Sequence, residues 1–367
     1  MTAGQHIRRA TTVLGRSTLV MAALATATVS ATAMANATAT AGPGAQGAAR
    51  AAAATVPDAE TQGSECADVR EKVERLEGRI TPNACAFIKR QIAFGETPTG
   101  TPPEPGESSH PRVRAYLDIF DPEATLWEAG GAPQRGHTTI GNSIIGSLRL
   151  VPDLRYRGTE VVADGAVAMF GQWNEVTIKG QQVAYPQIAR NVLSDDGKSI
   201  QARRYYDRYT VFRSAAPELR NLFEGITDAG SATGGAPERF RADEITARLA
   251  AWNNEDTAAL TERMGGARLT APGLPRPLAT AAGKTAYLQR LFDHADVQLT
   301  AGQVAFGETT TYVEWHGTAT SAKGTDVPFG IVERFGPGGE WELSFDTLPL
   351  IADKTEIAAL FQRLAQP

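Results

Sequence analysis

Three carboxylates occupy positions from which they could move protons in a pocket. Glu128 follows a short β-rich segment and precedes the Gly130-Gly131 turn, with no cation beside it in the sequence. Asp207 and Asp346 each end a long β-rich segment. A carboxylate whose pKa is raised by a pocket can act as a general base next to a carbonyl group. The same residues could instead be a solvated turn carboxylate and two strand-end groups that bond local backbone amides, so both interpretations stay open.

Aromatic residues and one histidine on the same β-rich segments could line such a pocket. The candidate ligand contacts are Trp127, Trp173, Tyr185, Tyr205, Trp315 and His316. Aromatic residues of sheets also fill protein cores, and a histidine on a strand can be a base, a satisfied core group or a surface residue. The sequence leaves these alternatives open.

The sequence lacks the patterns of a metal, phosphate or nucleic-acid site. The 5 histidines are scattered, without a His-x-x-x-His pair or a carboxylate cluster. The glycine-rich stretch 230–235 has neither the lysine nor the following helix of a phosphate loop. The net charge is −5, and no basic run occurs beyond the N-terminal segment. We therefore predict no metal, no cofactor and no nucleic-acid partner.

One long antiparallel unit, which carries most of the candidate residues, occurs twice. It spans 166–207 and again 309–346, and each copy is predicted to form three strands joined by two glycine-bearing turns. Lys179-Gly180 and Lys323-Gly324 close the first hairpin of each copy. A two-turn meander of this kind predicts a sheet in each half of the chain.

The elements before each meander also match in order: helix, helix, strand, helix, strand. Gly136 and Gly283 precede the third helix in the two halves. We predict an internal duplication, with a first domain at 65–213, a linker at 214–239 and a second domain at 240–367.

The N-terminal segment has the composition of a secretory signal peptide. Arg8, Arg9 and Arg16 form a positive region, a mildly apolar stretch follows at 17–29, and Ala33-Met34-Ala35 is a cleavage site. The apolar stretch is too short to span a membrane. We predict a signal peptide at 1–35, a disordered segment at 36–64 and a secreted, extracellular protein, with the export route left open.

The two cysteines, Cys66 and Cys85, follow the predicted signal peptide. An even number in an exported protein indicates a disulfide, while a reactive or metal-binding pair would need further ligands nearby. Apolar residues at helical spacing between 69 and 76 predict one helix, and Asn83 can cap a second helix. The disulfide is expected to join these two helices.

Several segments resemble the nuclear transport factor 2 superfamily, in particular its SnoaL-like polyketide cyclase and ketosteroid isomerase branches. The FDPEAT segment at 120–125 is similar to the start of the family's first strand, and ITARLAAWNNEDTAAL at 245–260 to its first helix and turn. Tyr206-Asp207 and Phe345-Asp346 resemble its closing strand. The resemblance covers about 65–213 and 240–364, as two tandem copies.

The resemblance implies an α+β fold with two tandem cone-shaped domains, each three helices packed on a curved antiparallel sheet. It places Glu128 where the isomerase branch keeps its base, and Asp207 and Asp346 at the acid/base position of SnoaL-like cyclases. The second acid of ketosteroid isomerase would lie near Ile188-Ala189, where this sequence has none. The second domain has no acid at the place of Glu128, so any chemistry is expected in the first.

The sequence leaves two candidate functions open. The first is an exported protein that binds a small apolar molecule, with its domains pairing within the chain or in a homodimer. The second is a cofactor-free cyclase or isomerase acting on a polyketide-like or steroid-like carbonyl compound. Export favours the first, because polyketide cyclases normally work in the cytoplasm beside their synthases.

Overall fold

The computed structural model describes residues 66–228 and 240–366. The predicted signal peptide at 1–35, the segment at 36–64 and the glycine-rich part of the linker at 229–237 lie outside the described residues. Among the helices of the described ranges, none has the length and apolar character needed to cross a membrane.

The first sheet has seven strands in the order β1-β4-β5-β6-β7-β2-β3. These strands are β1 (Arg75–Arg79), β2 (Phe120–Trp127), β3 (Gln134–Arg135), β4 (Arg155–Asp164), β5 (Val167–Ile178), β6 (Gln181–Leu193) and β7 (Ser199–Tyr205). Strands β5 to β7 form the predicted three-stranded antiparallel meander, and β4 extends it by pairing antiparallel with β5. Strands β1 and β2 join this sheet in parallel, beside β4 and β7. Lys179 and Gly180 both have positive φ, as a two-residue hairpin turn requires, so this predicted turn is confirmed.

Helices cover one face of this sheet. They are α1 (Ala67–Arg70), α2 (Pro82–Glu96), α3 (Pro111–Asp118) and α4 (Gly136–Leu150), and α5 (Arg208–Phe212) follows the last strand. Ile140, Ile144 and Leu148 recur every four residues along α4, and all three are buried in the core. The periodicity of the sequence therefore identifies the face of α4 that packs on the sheet.

The second sheet has five strands in the order β8-β12-β11-β10-β9. They are β8 (Arg268–Thr270), β9 (Ala295–Phe306), β10 (Thr311–Ser321), β11 (Asp326–Gly336) and β12 (Glu340–Ser344). The helices of this half are α6 (Ile245–Asn253), α7 (Thr257–Glu262), α8 (Ala281–Phe292), α9 (Leu348–Ile351) and α10 (Lys354–Ala365). The strand order equals β2-β7-β6-β5-β4 of the first sheet, position for position. The predicted α+β class, with helices packed on two largely antiparallel sheets, is confirmed.

The disulfide forms, but the helices beside it differ from the prediction. Cys66 and Cys85 are bonded, with their Cα atoms 5.8 Å apart. The first helix ends at Arg70, and the residues beyond it form β1, which pairs with β4 at the side of the sheet. The second helix is capped by Thr81 instead of Asn83, because Pro82 is pre-shaped for the first helical position.

The two sheets contact each other through a buried layer. Its apolar members are Val162, Met169, Ile188 and Tyr205 from the first half and Ala305, Tyr312 and Val332 from the second. Two buried carboxylates in the same layer each bond residues of the opposite sheet. Glu314 accepts a hydrogen bond from Arg190 Nε at 2.9 Å, and Glu160 accepts one from the Tyr312 hydroxyl at 2.7 Å and pairs with Arg334. The part of the first sheet around Met169, Ile188 and Tyr205 is therefore buried on both faces.

Candidate functional site

The first domain encloses a cavity of about 110 Å³ between its helices and its sheet. Alternate residues of β5, from Gln172 through Asn174 and Val176 to Ile178, line it, as the two-residue period of a strand requires. Side chains of α2, α3 and α4 close the opposite side, and the turn at 128–131 forms part of the wall.

A carboxylate and a guanidinium face each other in this cavity. Glu128 Oε1 lies 3.5 Å from Arg204 Nη1, and the two side chains are 23% and 15% exposed. The Arg204 guanidinium also lies over the Tyr116 ring, 5.0 Å from its centre. Burial raises the pKa of the Glu128 carboxyl, and the charges of Arg204 and Arg208 only partly offset this effect. Glu128 is therefore a carboxyl poised to exchange a proton closer to neutral pH than an exposed one.

Two buried amide groups of the cavity wall have no hydrogen-bond partner among the described residues. They are Oε1 of Gln134 and Nδ2 of Asn174, in residues that are 7% and 3% exposed. Leaving a buried polar group unsatisfied costs about 1–3 kcal/mol. One group accepts and the other donates, so a ligand that satisfied both would have to carry a donor and an acceptor.

Four of the six aromatic residues that line the cavity are tyrosines. Tyr116, Tyr185 and Tyr206 line it, and the rings of the last two lie 5.7 Å apart. Burial raises the pKa of all three phenols, so they are neutral hydrogen-bond donors. The Tyr156 hydroxyl, by contrast, donates to the backbone carbonyl of Gln91. The lining thus combines flat apolar rings with donor groups at their edges.

Of the residues singled out in the sequence, Glu128 and Tyr185 line this cavity. Trp173 lies between two cavity-facing residues of β5 and so points to the other face of the sheet. Trp127 and Tyr205 lie 5.6 Å apart and belong to the layer between the sheets, where the Tyr205 hydroxyl donates to Glu314.

Asp207 and Asp346 are placed between the two halves of the chain and are not among the residues that line the cavity. Asp207 caps α5 and accepts two hydrogen bonds from Thr347, 3.0 Å from its backbone nitrogen and 2.7 Å from its hydroxyl. Asp346 accepts from the backbone nitrogen and from Nε of Arg208, at 3.0 and 2.7 Å. Burial, and then the Asp346 carboxylate, raise the pKa of Asp207. Each aspartate thus bonds the residue that follows the other.

The interior of the second domain is filled by a polar cluster around Glu333. The indole nitrogens of Trp252, Trp315 and Trp341 donate to its carboxylate at 2.7 to 2.9 Å, and Arg248 forms a bidentate pair with it. Trp315 is therefore a core residue. The neighbouring His316 is half-buried, and burial and then Arg203 lower its pKa.

Sequence reasoning missed Arg204, Gln134 and Asn174. Arg204 and Tyr206 face the cavity, whereas Arg203 and Tyr205 face Glu314 of the second half. Polar and aromatic residues alternate on both faces of β7, so the pattern does not reveal which face lines the pocket. One sequence signal could have located the pocket. Gln172 and Asn174 are polar residues at alternate positions of a β-rich segment, which indicates a strand face that lines a polar cavity.

Across 66–228 and 240–366, no group of three or more His, Cys, Asp or Glu residues could hold a metal ion. The chemistry that the cavity itself offers is hydrogen bonding and proton transfer by Glu128, next to the cation of Arg204.

No protein-family model matches the sequence, and no curated protein matches it. Solved structures do resemble parts of it. One is a putative SnoaL-like polyketide cyclase from a Jannaschia species, at 15% identity and a TM-score of 0.30, over 37% of this chain and 95% of that one. A hypothetical protein with a ketosteroid isomerase-like fold from Catenulispora acidiphila, in complex with trimethylamine, is 18% identical, with a TM-score of 0.29 over 34% and 88%.

A third structure, an NTF2-like protein of unknown function from Burkholderia pseudomallei, is 13% identical, with a TM-score of 0.29 over 35% of this chain and 95% of its own. Each of the three matches covers about a third of this chain, and the matched proteins are described as NTF2-like, SnoaL-like and ketosteroid isomerase-like, the groups that the sequence resembles.

Proposed function

We propose that the first domain binds a small molecule with a single ring and oxygen substituents, and that the second domain is its structural support. The observation that carries the proposal is the cavity in which the Glu128–Arg204 pair meets the unpartnered amides of Gln134 and Asn174. The cavity of about 110 Å³ is of the same order as a cavity of about 150 Å³ that binds benzene, so it can hold one ring, with the substituents directed to the opening at which Glu128 and Arg204 are 23% and 15% exposed.

The cavity alters the ligand expected from the sequence. An apolar molecule would leave Asn174 Nδ2 and Gln134 Oε1 without partners, which is costly in a buried site. A ring that carries a carbonyl and a hydroxyl group offers both an acceptor and a donor, and its flat body packs against the tyrosine rings. An amphipathic ligand therefore fits the wall better than a purely apolar one.

A second candidate function is cofactor-free proton transfer in the same cavity. Glu128 would take a proton from carbon next to a carbonyl, and Arg204 would stabilise the enolate oxygen. The raised pKa of Glu128 and its distance of 3.5 Å from Arg204 favour this reading. The acid/base role expected for Asp207 and Asp346 is not part of it, because both bond the opposite half of the chain.

4-Hydroxyacetophenone tests both candidates, since it has one ring, a hydroxyl, a carbonyl and exchangeable methyl protons beside that carbonyl. Titration calorimetry is expected to detect binding, and Asn174→Leu is expected to weaken it about tenfold by removing one buried hydrogen bond. If the cavity is catalytic, the wild-type chain accelerates deuterium exchange of the methyl group, and Glu128→Gln slows that exchange about 10²- to 10⁴-fold.

The matched control is Glu175→Gln, because Glu175 is exposed on the opposite face of β5. This variant is expected to leave binding and exchange unchanged. Binding without exchange favours the first candidate function over the second. Absence of binding, or equal binding by the wild-type chain and Asn174→Leu, contradicts a ligand site in this cavity.

We also propose that the chain is exported and that its halves arose by tandem duplication. The N-terminal composition and the Cys66–Cys85 disulfide support export, and the shared five-strand order supports duplication. The intact mass of protein recovered from the culture medium is expected to match a chain that starts near Asn36 and holds one disulfide. A secreted chain that retains Met1, or that has two alkylatable thiols, would contradict this.

A further inference from the structure

We infer that the second domain completes the cavity of the first, by holding Arg208 in the cavity wall through Asp346. Asp346 is then a positioning residue for a site that lies in the other half of the chain. The inference rests on the proposed function of the cavity as a binding site.

Arg208 is the first residue of α5. It follows closely after Arg204, near the end of β7, and after Tyr206, the first residue beyond β7. Its side chain lines the cavity although it is only 5% exposed. Asp346 binds it at two points, the backbone nitrogen at 3.0 Å and Nε at 2.7 Å, and is itself 5% exposed. A buried arginine held at both its backbone and its side chain has one orientation, and a residue of the second domain sets it.

The Arg208–Asp346 pair also supports the turn that carries Glu128. Gly130 has a φ of +66°, and a Cβ built on it would overlap the Arg208 guanidinium and lie 2.9 Å from Oδ2 of Asp346. Any side chain at position 130 would therefore displace the pair. The turn, two residues after Glu128, rests directly on a contact between the domains.

The charges of Arg208 and Asp346 also affect the pKa values of groups in the cavity wall. Arg208 is one of the cations that lower the pKa of Glu128, and the Asp346 carboxylate raises the pKa of Tyr206. Glu128 and Tyr206 both line the cavity. A charge on the second domain thus acts on the proton equilibria of the first.

The equivalent contact, between Asp207 and Thr347, does not involve a residue of the cavity wall. Asp207 bonds Thr347, a neutral residue that does not line the cavity. The two contacts cross the same interface and have similar length and burial, but only that of Asp346 ends on a cavity residue. Thr347→Val is therefore a matched control for Asp346→Asn.

The first test needs no ligand. In the ¹⁵N-labelled full chain, hydrogen exchange of the Arg208 Nε–H is expected to be slow and to become about tenfold faster or more in Asp346→Asn, because a fixed hydrogen bond is lost. The pKa of Glu128, followed by ¹³C NMR of its carboxyl, is expected to fall in the same variant, which removes a negative charge and frees a positive one. Thr347→Val should change neither. Unchanged exchange and titration in Asp346→Asn would overturn the inference.

The second test uses 4-hydroxyacetophenone in a double-mutant cycle. Asp346→Asn is expected to weaken binding about tenfold in the wild-type background and to have no effect in an Arg208→Gln background, since coupled residues are not additive. An equal loss in both backgrounds would overturn the inference. Asp346→Asn and Arg208→Gln each leave one buried charge without its partner, so the cycle is measured under conditions in which circular dichroism shows both single variants to be folded. If the wild-type chain does not bind the probe, the proposed function fails, while the exchange measurement still decides the role of Asp346.

Discussion

Replacing Glu333 by glutamine is expected to lower the free energy of unfolding of this chain by about 3–5 kcal/mol, the usual cost of breaking a buried ion pair. The Glu333 and Arg248 side chains are fully buried and form a bidentate pair. Three indole N–H groups, from Trp252, Trp315 and Trp341, donate to the same carboxylate. A glutamine keeps the shape but points an NH₂ group at donors, and it leaves the Arg248 cation without a counter-charge.

Urea unfolding followed by tryptophan fluorescence measures this loss. Three of the 5 tryptophans of the chain surround Glu333, so their emission reports mainly on the second domain. The control is Glu96→Gln, which removes an exposed carboxylate paired with Lys72 and is expected to cost less than about 1 kcal/mol. Equal losses in the two variants would show that the Glu333 cluster does not hold the second core together.

Glu314→Gln is the second large expected effect, and it concerns the layer between the domains. Glu314 lies in the second domain, is 1% exposed and binds Arg190, which is equally buried, at 2.9 Å. It also accepts from Gln303 N and from the Tyr205 hydroxyl. Loss of the carboxylate leaves the buried guanidinium of Arg190 without a counter-charge. We therefore expect a decrease of about 3–5 kcal/mol in the free energy of unfolding at pH 7.

The effect of this substitution should depend on pH. Burial alone would raise the pKa of the Glu314 carboxyl, but Arg190, the Tyr205 hydroxyl and Arg203 together hold it below the ordinary value of 4.5. A carboxyl with a lowered pKa contributes stability that is present above its unfolded-state pKa and is lost as the pH falls through its folded-state value. Protonated glutamic acid resembles glutamine, so wild type and variant should converge at acid pH.

Urea unfolding of both chains between pH 7 and pH 3 tests this. The difference between wild type and Glu314→Gln is expected to be constant down to about pH 4.5 and to shrink below it. Ser344→Ala, which removes a neutral hydrogen bond from the Ser344 hydroxyl to the backbone carbonyl of Tyr205 across the same interface, should show a small difference that does not change with pH. A pH-independent difference for Glu314→Gln would mean that its charge does not hold the sheets together.

Local patterns in the sequence determined most of the secondary structure. Each meander alternates β-rich runs with glycine turns, and Ile140, Ile144 and Leu148 fix a helix and its buried face. Such signals lie within a few residues of one another, so a single sequence reveals them. The helix predicted between 69 and 76 ends at Arg70, and its last two positions belong to β1, because pairing with β4, 85 residues away in sequence, outweighs local spacing.

The fold class, the paired meanders and the disulfide thus follow from the sequence, whereas only the tertiary structure decided which residues share the cavity. In β7 and the residues after it, Arg204 and Tyr206 face the cavity, while Arg203, Tyr205 and Asp207 contact the second half of the chain. The physical reason is that the sheet is covered on both faces around Tyr205, by helices on one side and by a second sheet on the other. Alternation in a strand separates two faces, but it distinguishes a pocket from an interface only when one of the faces is exposed to water.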